Sequence, residues 1–208
     1  MKLLCISDLH SEAGSIEGLA EADALVICGD ITHFGDGAKA KELLYSFKDS
    51  NMILAVPGNC DNLDVNDALL DLDVDLHARG RIIDDVGFFG LGGSNETPFN
   101  TPQEYKEDTL LEFIMKGYEQ VRDAAFKVFV THTPPIDTKL DDAGGRHVGS
   151  TSVRRFIEEY QPDLVLCGHI HEAKGTDRMG KTVMVNPGML RNGHALIDIG
   201  EDIKVDFF

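Results

Sequence analysis

The chain has 208 residues, which favours one domain, and 42% of them are hydrophobic, enough for a sizeable core. Its 36 acidic side chains against 19 basic ones leave a formal charge of −17 and exclude the basic face that long nucleic acids require. A small anionic substrate stays open, because bound cations can reverse the field locally. Only four apolar residues separate Met1-Lys2 from Ser7 and Asp8, too short a run for a signal peptide. No apolar run approaches the ~18 residues that cross a bilayer. Cys5, Cys28, Cys60 and Cys167 form no CxxC pair or secreted framework, and three of them sit inside apolar runs as expected buried thiols. A reduced, cytoplasmic protein without membrane partners is expected.

Six short apolar runs organise the chain: residues 2–7, 24–28, 52–56, 127–130, 163–167 and 182–185. None alternates with polar residues, the mark of strands buried on both faces. Helical spacing of apolar residues occupies 38–48, 104–125 and 152–160, so strands alternate with helices. Residues 81–93 and 194–208 read as hairpins turned by Asp and Gly. Between them, 90–105 is rich in Gly, Asn, Thr and Pro, and a long polar loop starts at His132. Gly149-Ser150-Thr151 reads as the N-cap of the last helix. The expected architecture is α/β: one domain over residues 1–208, with two sheets of mixed direction packed together and helices outside.

The residues just past each run carry the chemistry. The six runs end in Asp8-Leu9-His10, Gly29-Asp30, Pro57-Gly58-Asn59-Cys60-Asp61, Thr131-His132, Gly168-His169-Ile170-His171 and Asn186-Pro187-Gly188. Ligands of open α/β sheets bind beyond the carboxyl ends of the strands. Singly, each motif has a plain reading. Asp8 is a capping turn residue, Asn59 a left-handed turn and His132 a loop histidine. The His169/His171 pair is stronger, because two imidazoles at a strand end have metal-ligand spacing. Asp8 and His10 share a face if their strand continues through them. Together, two Asp, one Asn and four His end five separate strands. Mixed imidazole and oxygen donors suit Mn, Fe, Zn, Co or Ni better than Ca. Two such ions about 3.5–4 Å apart clamp a phosphoryl group.

The order Asp-x-His, Gly-Asp, Gly-Asn-x-Asp, His, Gly-His-x-His, from Asp8 to His171, resembles the calcineurin-like metallophosphoesterases. The resemblance implies a four-layer αββα sandwich and two divalent cations, with manganese expected and Fe, Ni, Zn, Co or Mg as alternatives. It implies that Asp8, His10 and His171 hold one ion, that Asn59, His132 and His169 hold the other, and that Asp30 bridges them. The activity it implies is hydrolysis of a small phosphoester by a metal-bridging hydroxide. The alternatives are a phosphomonoesterase or nuclease on the same site, or a non-catalytic scaffold of the same fold. All seven expected ligands are present.

One position departs from the pattern. The family's usual Gly-Asn-His, whose imidazole helps bind phosphate and protonate the leaving group, is Gly-Asn-Cys here. A thiol is a weak donor and a poor replacement for that imidazole. Cys60 reads first as a packing residue beside the metals. Members with this variant resemble phosphodiesterases, since a diester carries less charge to neutralise. A replacement acid is sought in His147 or His33, with His147 better placed in its polar loop. Arg146 beside it reads as a solvated side chain or a phosphate contact. Phe99 and Tyr105 either pin their loop to the core, the plainer reading, or stack on a leaving group.

Overall fold

The computed structural model describes residues 1–13 and 16–208. In chain order the elements are β1 (Lys2–Ile6), β2 (Ala24–Cys28), α1 (Gly37–Tyr45), β3 (Ile53–Val56), α2 (Asp64–Asp71), β4 (Gly80–Ile83), β5 (Val86–Leu91), β6 (Ser94–Asn95), β7 (Glu104–Tyr105), α3 (Glu107–Tyr118), β8 (Phe126–Thr131), α4 (Thr151–Tyr160), β9 (Leu164–Leu166), β10 (Gly175–Met179), β11 (Thr182–Asn186), β12 (Ala195–Ile199) and β13 (Ile203–Phe207).

One sheet has the order β13-β12-β1-β2-β3 and the other β10-β11-β9-β8-β5-β4. In both, the middle strands run parallel: β1, β2 and β3 in the first, β11, β9, β8 and β5 in the second. Antiparallel strands flank them. Side-chain alternation along each strand sorts residues between two interfaces. Leu3, Cys5, Val26 and Val56 face Val128, Val130, Leu164 and Leu166 across the space between the sheets. Leu4, Ile6, Leu25 and Ile27 point outward onto Leu43 and Leu44 of α1 and Val65 and Leu69 of α2. Phe89, Phe129, Val165 and Met184 point outward onto Ile114 of α3 and Phe156 and Ile157 of α4. The result is four layers, αββα. Both directions along a central strand end in a core, which is why the runs show no polar alternation.

The expected strands, hairpins and helices are present, and the main differences are these. The helix expected over 104–125 is shorter, Glu107–Tyr118. At its start the Glu104 carboxylate is occupied by Thr97 and Thr101, and Tyr105 pairs with Asn95 in β7. At its end the chain leaves the helix in turns that pack Val121 into the core. Helix α2 has no counterpart among the expected elements, because it is short and its buried Val65, Ala68 and Leu69 stand among acidic neighbours. Strand β10 has none either. It is an edge strand of alternating exposure whose sequence, Gly-Thr-Asp-Arg-Met, offers almost no apolar pattern. Asp84 and Asp85, both at positive φ (46° and 66°), make the tight turn of the β4–β5 hairpin. Ser150 caps α4 by accepting from Val153 N at 3.1 Å, as its sequence indicates.

Candidate metal centre

The site forms where the central strands of both sheets end. β1 stops at Ile6, and Asp8 and His10 lie beyond it with φ of 54° and 46°. The strand does not continue through this pair, and Asp8 stands in a turn, its plain reading in the sequence. The two side chains converge because left-handed turns redirect the chain. Asp30 (φ 49°) and His169 (φ 69°) share this conformation. Four ligand candidates in sparsely populated backbone space is strain concentrated at one place, sustained by the surrounding packing. The turns interlock: Asp8 N donates to Gly29 O at 3.0 Å and His10 N to Asp30 O at 2.9 Å. Two glycines are obligatory here. A Cβ on Gly29 would strike the His132 ring, and one on Gly58 would strike Asp30.

All seven residues expected as ligands come together. Asp8, His10 and His171 place donor atoms within 4.8 Å of one another, as do Asp8, Asp30 and His132. His171 Nε2 lies 3.2 Å from Asp8 Oδ1, and His10 Nε2 lies 3.7 Å from Asp30 Oδ2. Asn59 Oδ1 lies 2.9 Å from His132 Nε2. His169 N donates to Asp8 Oδ2 at 3.0 Å, and its ring centre is 4.9 Å from that of His132. Asp30 stands between the groups, 3.5 Å from His132 Nε2 on its other oxygen.

Electrostatics prepare these groups as ligands. Burial depresses His10 to about 4 and His169 to about 3, so both imidazoles are neutral at pH 7. Burial would raise Asp8, but the His171 hydrogen bond and nearby imidazoles outweigh it and hold it at about 2. Burial raises Asp30 to about 6 despite the His132 ring beside it. Burial, then the Asp30 charge, pushes the Cys60 thiol upward, so it stays protonated.

The donor set itself tests whether cations fit. His132 Nδ1 is 2.7 Å from Cys28 O, an acceptor that fixes the proton on Nδ1. Its Nε2 then turns a lone pair toward Asn59 Oδ1, also an acceptor because Asn59 Nδ2 donates to Thr101 Oγ1 at 2.8 Å. His10 Nε2 and His171 Nε2 lie 3.2 Å apart, and His171 Nε2 is also 3.2 Å from Asp8 Oδ1. Acceptors aimed at acceptors in a buried space require a positive charge among them. Divalent ions with mixed nitrogen and oxygen ligands fit that requirement.

Several supporting residues carry no role in the sequence pattern. The fully buried Asp61 carboxylate accepts from Gly58 N, Ile31 N, Thr32 N and Thr32 Oγ1 at 2.7–3.1 Å, tying two ligand turns together. Its place in Gly-Asn-x-Asp is visible in the sequence, though its role is not. Asn186 Nδ2 donates to Ile170 O at 3.0 Å and steadies the His169–His171 turn.

The two candidates for a replacement acid differ. His33 leans on His10, with ring centres 5.4 Å apart and Nδ1 atoms 3.4 Å apart. His147 is separate from the ligands. It lines a cleft of about 640 Å³ together with Arg146, Phe99, His169 and His171. Its Nδ1 is 2.8 Å from Oδ1 of the buried Asp141, which raises its pKa. The two aromatics of the 90–105 loop also part ways. Tyr105 packs on Phe113 and bonds Gln103, pinning the loop, whereas Phe99 faces the cleft.

Four layers with seven convergent ligand candidates at one rim define a class. The sequence profile of calcineurin-like phosphoesterases matches residues 1–173, and the chain belongs to that family, whose members bind divalent metals. An uncharacterized protein of Methanocaldococcus jannaschii, MJ1162, is 39% identical over 194 residues, covering 90% of this chain and 88% of that one. The crystal structure of TT1561 of Thermus thermophilus superposes with a TM-score of 0.73 at 19% identity, covering 99% and 98% of the two chains. A structure described as a novel archaeal phosphodiesterase gives 0.52 at 16%, covering both chains fully. At these identities the structural likenesses speak for the fold. No helix among the described residues is long and apolar enough to cross a membrane.

Proposed function

We propose that the chain is a single-domain, dinuclear metal-dependent phosphodiesterase. The observation that carries this reading is the pair of donor triads, Asp8/His10/His171 and Asp8/Asp30/His132, converging beside the His132 Nε2 that faces Asn59 Oδ1. In this reading Asp8, His10 and His171 hold one cation, Asn59, His132 and His169 the other, and Asp30 both. Manganese is the favoured ion. When bound, such a pair acidifies a water molecule and neutralises charge on the phosphoryl oxygens.

The chain's own residues do the rest. Asp8 orients its site by binding His171 and the His169 backbone at once. Cys60 occupies the position from which an imidazole would meet a monoester dianion, and its protonated thiol supplies neither charge nor a strong donor. The site therefore suits a diester monoanion. His147, held through Nδ1 by Asp141, presents Nε2–H to the cleft and gives its proton to the departing alkoxide.

The test compares bis(p-nitrophenyl) phosphate with p-nitrophenyl phosphate, each with added Mn²⁺ and with EDTA, alongside metal analysis of the purified protein. Diester turnover at least roughly tenfold above monoester turnover, abolished by EDTA, is expected. Faster monoester hydrolysis, or turnover indifferent to chelation, overturns the proposal.

A further inference from the structure

We infer that the cleft beside the ligand residues is a binding subsite for the alcohol portion of the diester, and that this portion carries a flat, uncharged ring system such as a nucleobase. The inference rests on the phosphodiesterase reading and names its substrate class.

Three observations support it. The first is Phe99. It is 78% exposed, the most exposed of the large hydrophobic residues, and it makes no ring–ring contact among the described residues. A large aromatic face left to water beside an active rim is a binding surface in waiting. Val148 and Ile170 supply further apolar walls of the same cleft.

The second is that the surface is built, and built onto the site. The Glu104 carboxylate accepts from Thr97 N at 3.0 Å, Thr101 N at 2.8 Å and Thr101 Oγ1 at 2.6 Å, and also from the Thr97 hydroxyl. Phe99 N in turn donates to Thr97 Oγ1 at 3.1 Å. Thr101 Oγ1 accepts from Asn59 Nδ2 at 2.8 Å, so the loop bearing Phe99 is fastened directly to a ligand candidate. On the opposite wall, Asn95 Nδ2 donates to Val148 O at 3.2 Å and Asn95 Oδ1 accepts from Thr133 Oγ1 at 2.8 Å. A ring entering the cleft meets fixed walls and loses little to loop ordering.

The third is charge. Besides the ligand candidates His169 and His171, the ionisable side chains lining the cleft are Glu96 and Glu172 on one side of the balance, and Arg146 and His147 on the other. In a chain of net charge −17, this balance gives a second phosphate no counter-charge to spare. The phosphoryl group belongs at the ligand residues and a neutral ring belongs here. Stacking on Phe99 is tolerant of base identity, since every base offers a π-face.

The chain contains no tryptophan, so Phe99→Trp places a sole indole in the cleft. With Mn²⁺-loaded protein, adenosine 5′-monophosphate is expected to quench its fluorescence at concentrations where ribose 5-phosphate does not. Equal quenching by both, or by neither, overturns the subsite. In parallel, Phe99→Ala is expected to raise KM for thymidine 5′-(p-nitrophenyl) phosphate roughly tenfold with kcat nearly unchanged. KM for methyl p-nitrophenyl phosphate is expected to stay put. Diester hydrolysis with an unaltered nucleoside KM sinks the subsite and spares the phosphodiesterase reading. Selective quenching without hydrolysis of either diester does the reverse.

Discussion

Asp30 sits buried in a left-handed turn, with Gly58 packed so close that no Cβ fits between them. Phe99, in the wall of the cleft, is largely in water. The contrast extends to their surroundings. Each ligand turn is locked to another: Asp8 to Gly29, His10 to Asp30, His132 to Cys28, with Asp61 binding four donors from two turns. The cleft walls are held by side-chain bonds within loops, and the ring of Phe99 stacks on no other ring among the described residues. In the ligand rim a one-atom change collides with a neighbour. In the cleft a residue can be exchanged and its supports remain. The rim is thus suited to fixed chemistry and the cleft to adjustable selection.

Substitutions on the two sides should fail differently, and the largest effect lies in the rim. Asp8→Asn removes a negative charge that meets His171 and the His169 backbone together. Activity is expected to fall by roughly three orders of magnitude, about 4 kcal/mol in the barrier. Metal content should fall with it. Retention of both would erase the difference between rim and cleft.

His147, on the cleft side, predicts a smaller and conditional loss. His147→Ala should cost about 10²-fold on diesters with alkyl leaving groups and little on p-nitrophenyl esters, which depart without a proton. The pH dependence follows from the sign of the shift. The hydrogen bond to Asp141 raises the His147 pKa, so the acid form persists above its ordinary range. Turnover of alkyl diesters should decline as pH rises through that raised value, and the decline should vanish in His147→Ala. A pH profile that the substitution leaves intact removes His147 from the proton path.

The same contrast explains what could be read from the sequence. The inner strands were legible because a layer buried on both sides forces unbroken apolar runs, and the ligand candidates were legible because each stands at the end of one. Their backbone was not. Nothing in Asp8-Leu9-His10 announces that the strand stops at Ile6 and that both side chains converge through positive φ. Asp141 gave no signal at all. It is an aspartate in a polar loop, and only the folded loop brings Thr138 N, Gly149 N and His147 Nδ1 to its carboxylate. Phe99 and Tyr105 were read with the same two alternatives, pinning or stacking, and they part because Tyr105 packs on Phe113 of α3, a contact between loop and helix. Long-range contacts between loops are the information a periodicity cannot carry.

Cys60 gives the mildest expected effect and the finest test of the contrast, since it belongs to the rim by position and to the selection of substrate by role. Its backbone carries the structural duty: Cys60 N donates to Asp30 Oδ1 at 2.8 Å and Cys60 O accepts from Phe34 N at 3.1 Å. Its side chain is half-buried, and Asn59 Nδ2 lies 3.8 Å from its Sγ, a weak contact. Cys60→Ala keeps both backbone bonds, so activity is expected to change by no more than about threefold. A loss as deep as that of Asp8→Asn would instead make the thiol a ligand alongside His10 and Asp30, whose donor atoms lie within 4.8 Å of it. Cys60→His restores an imidazole where the chain now has a neutral thiol, beside the bridging position. It should raise p-nitrophenyl phosphate turnover roughly tenfold while leaving bis(p-nitrophenyl) phosphate nearly unchanged, because only the monoester dianion needs the added donor. An equal gain on both esters would mean that the thiol limits the reaction in general, and that the preference for diesters originates in the cleft rather than at position 60.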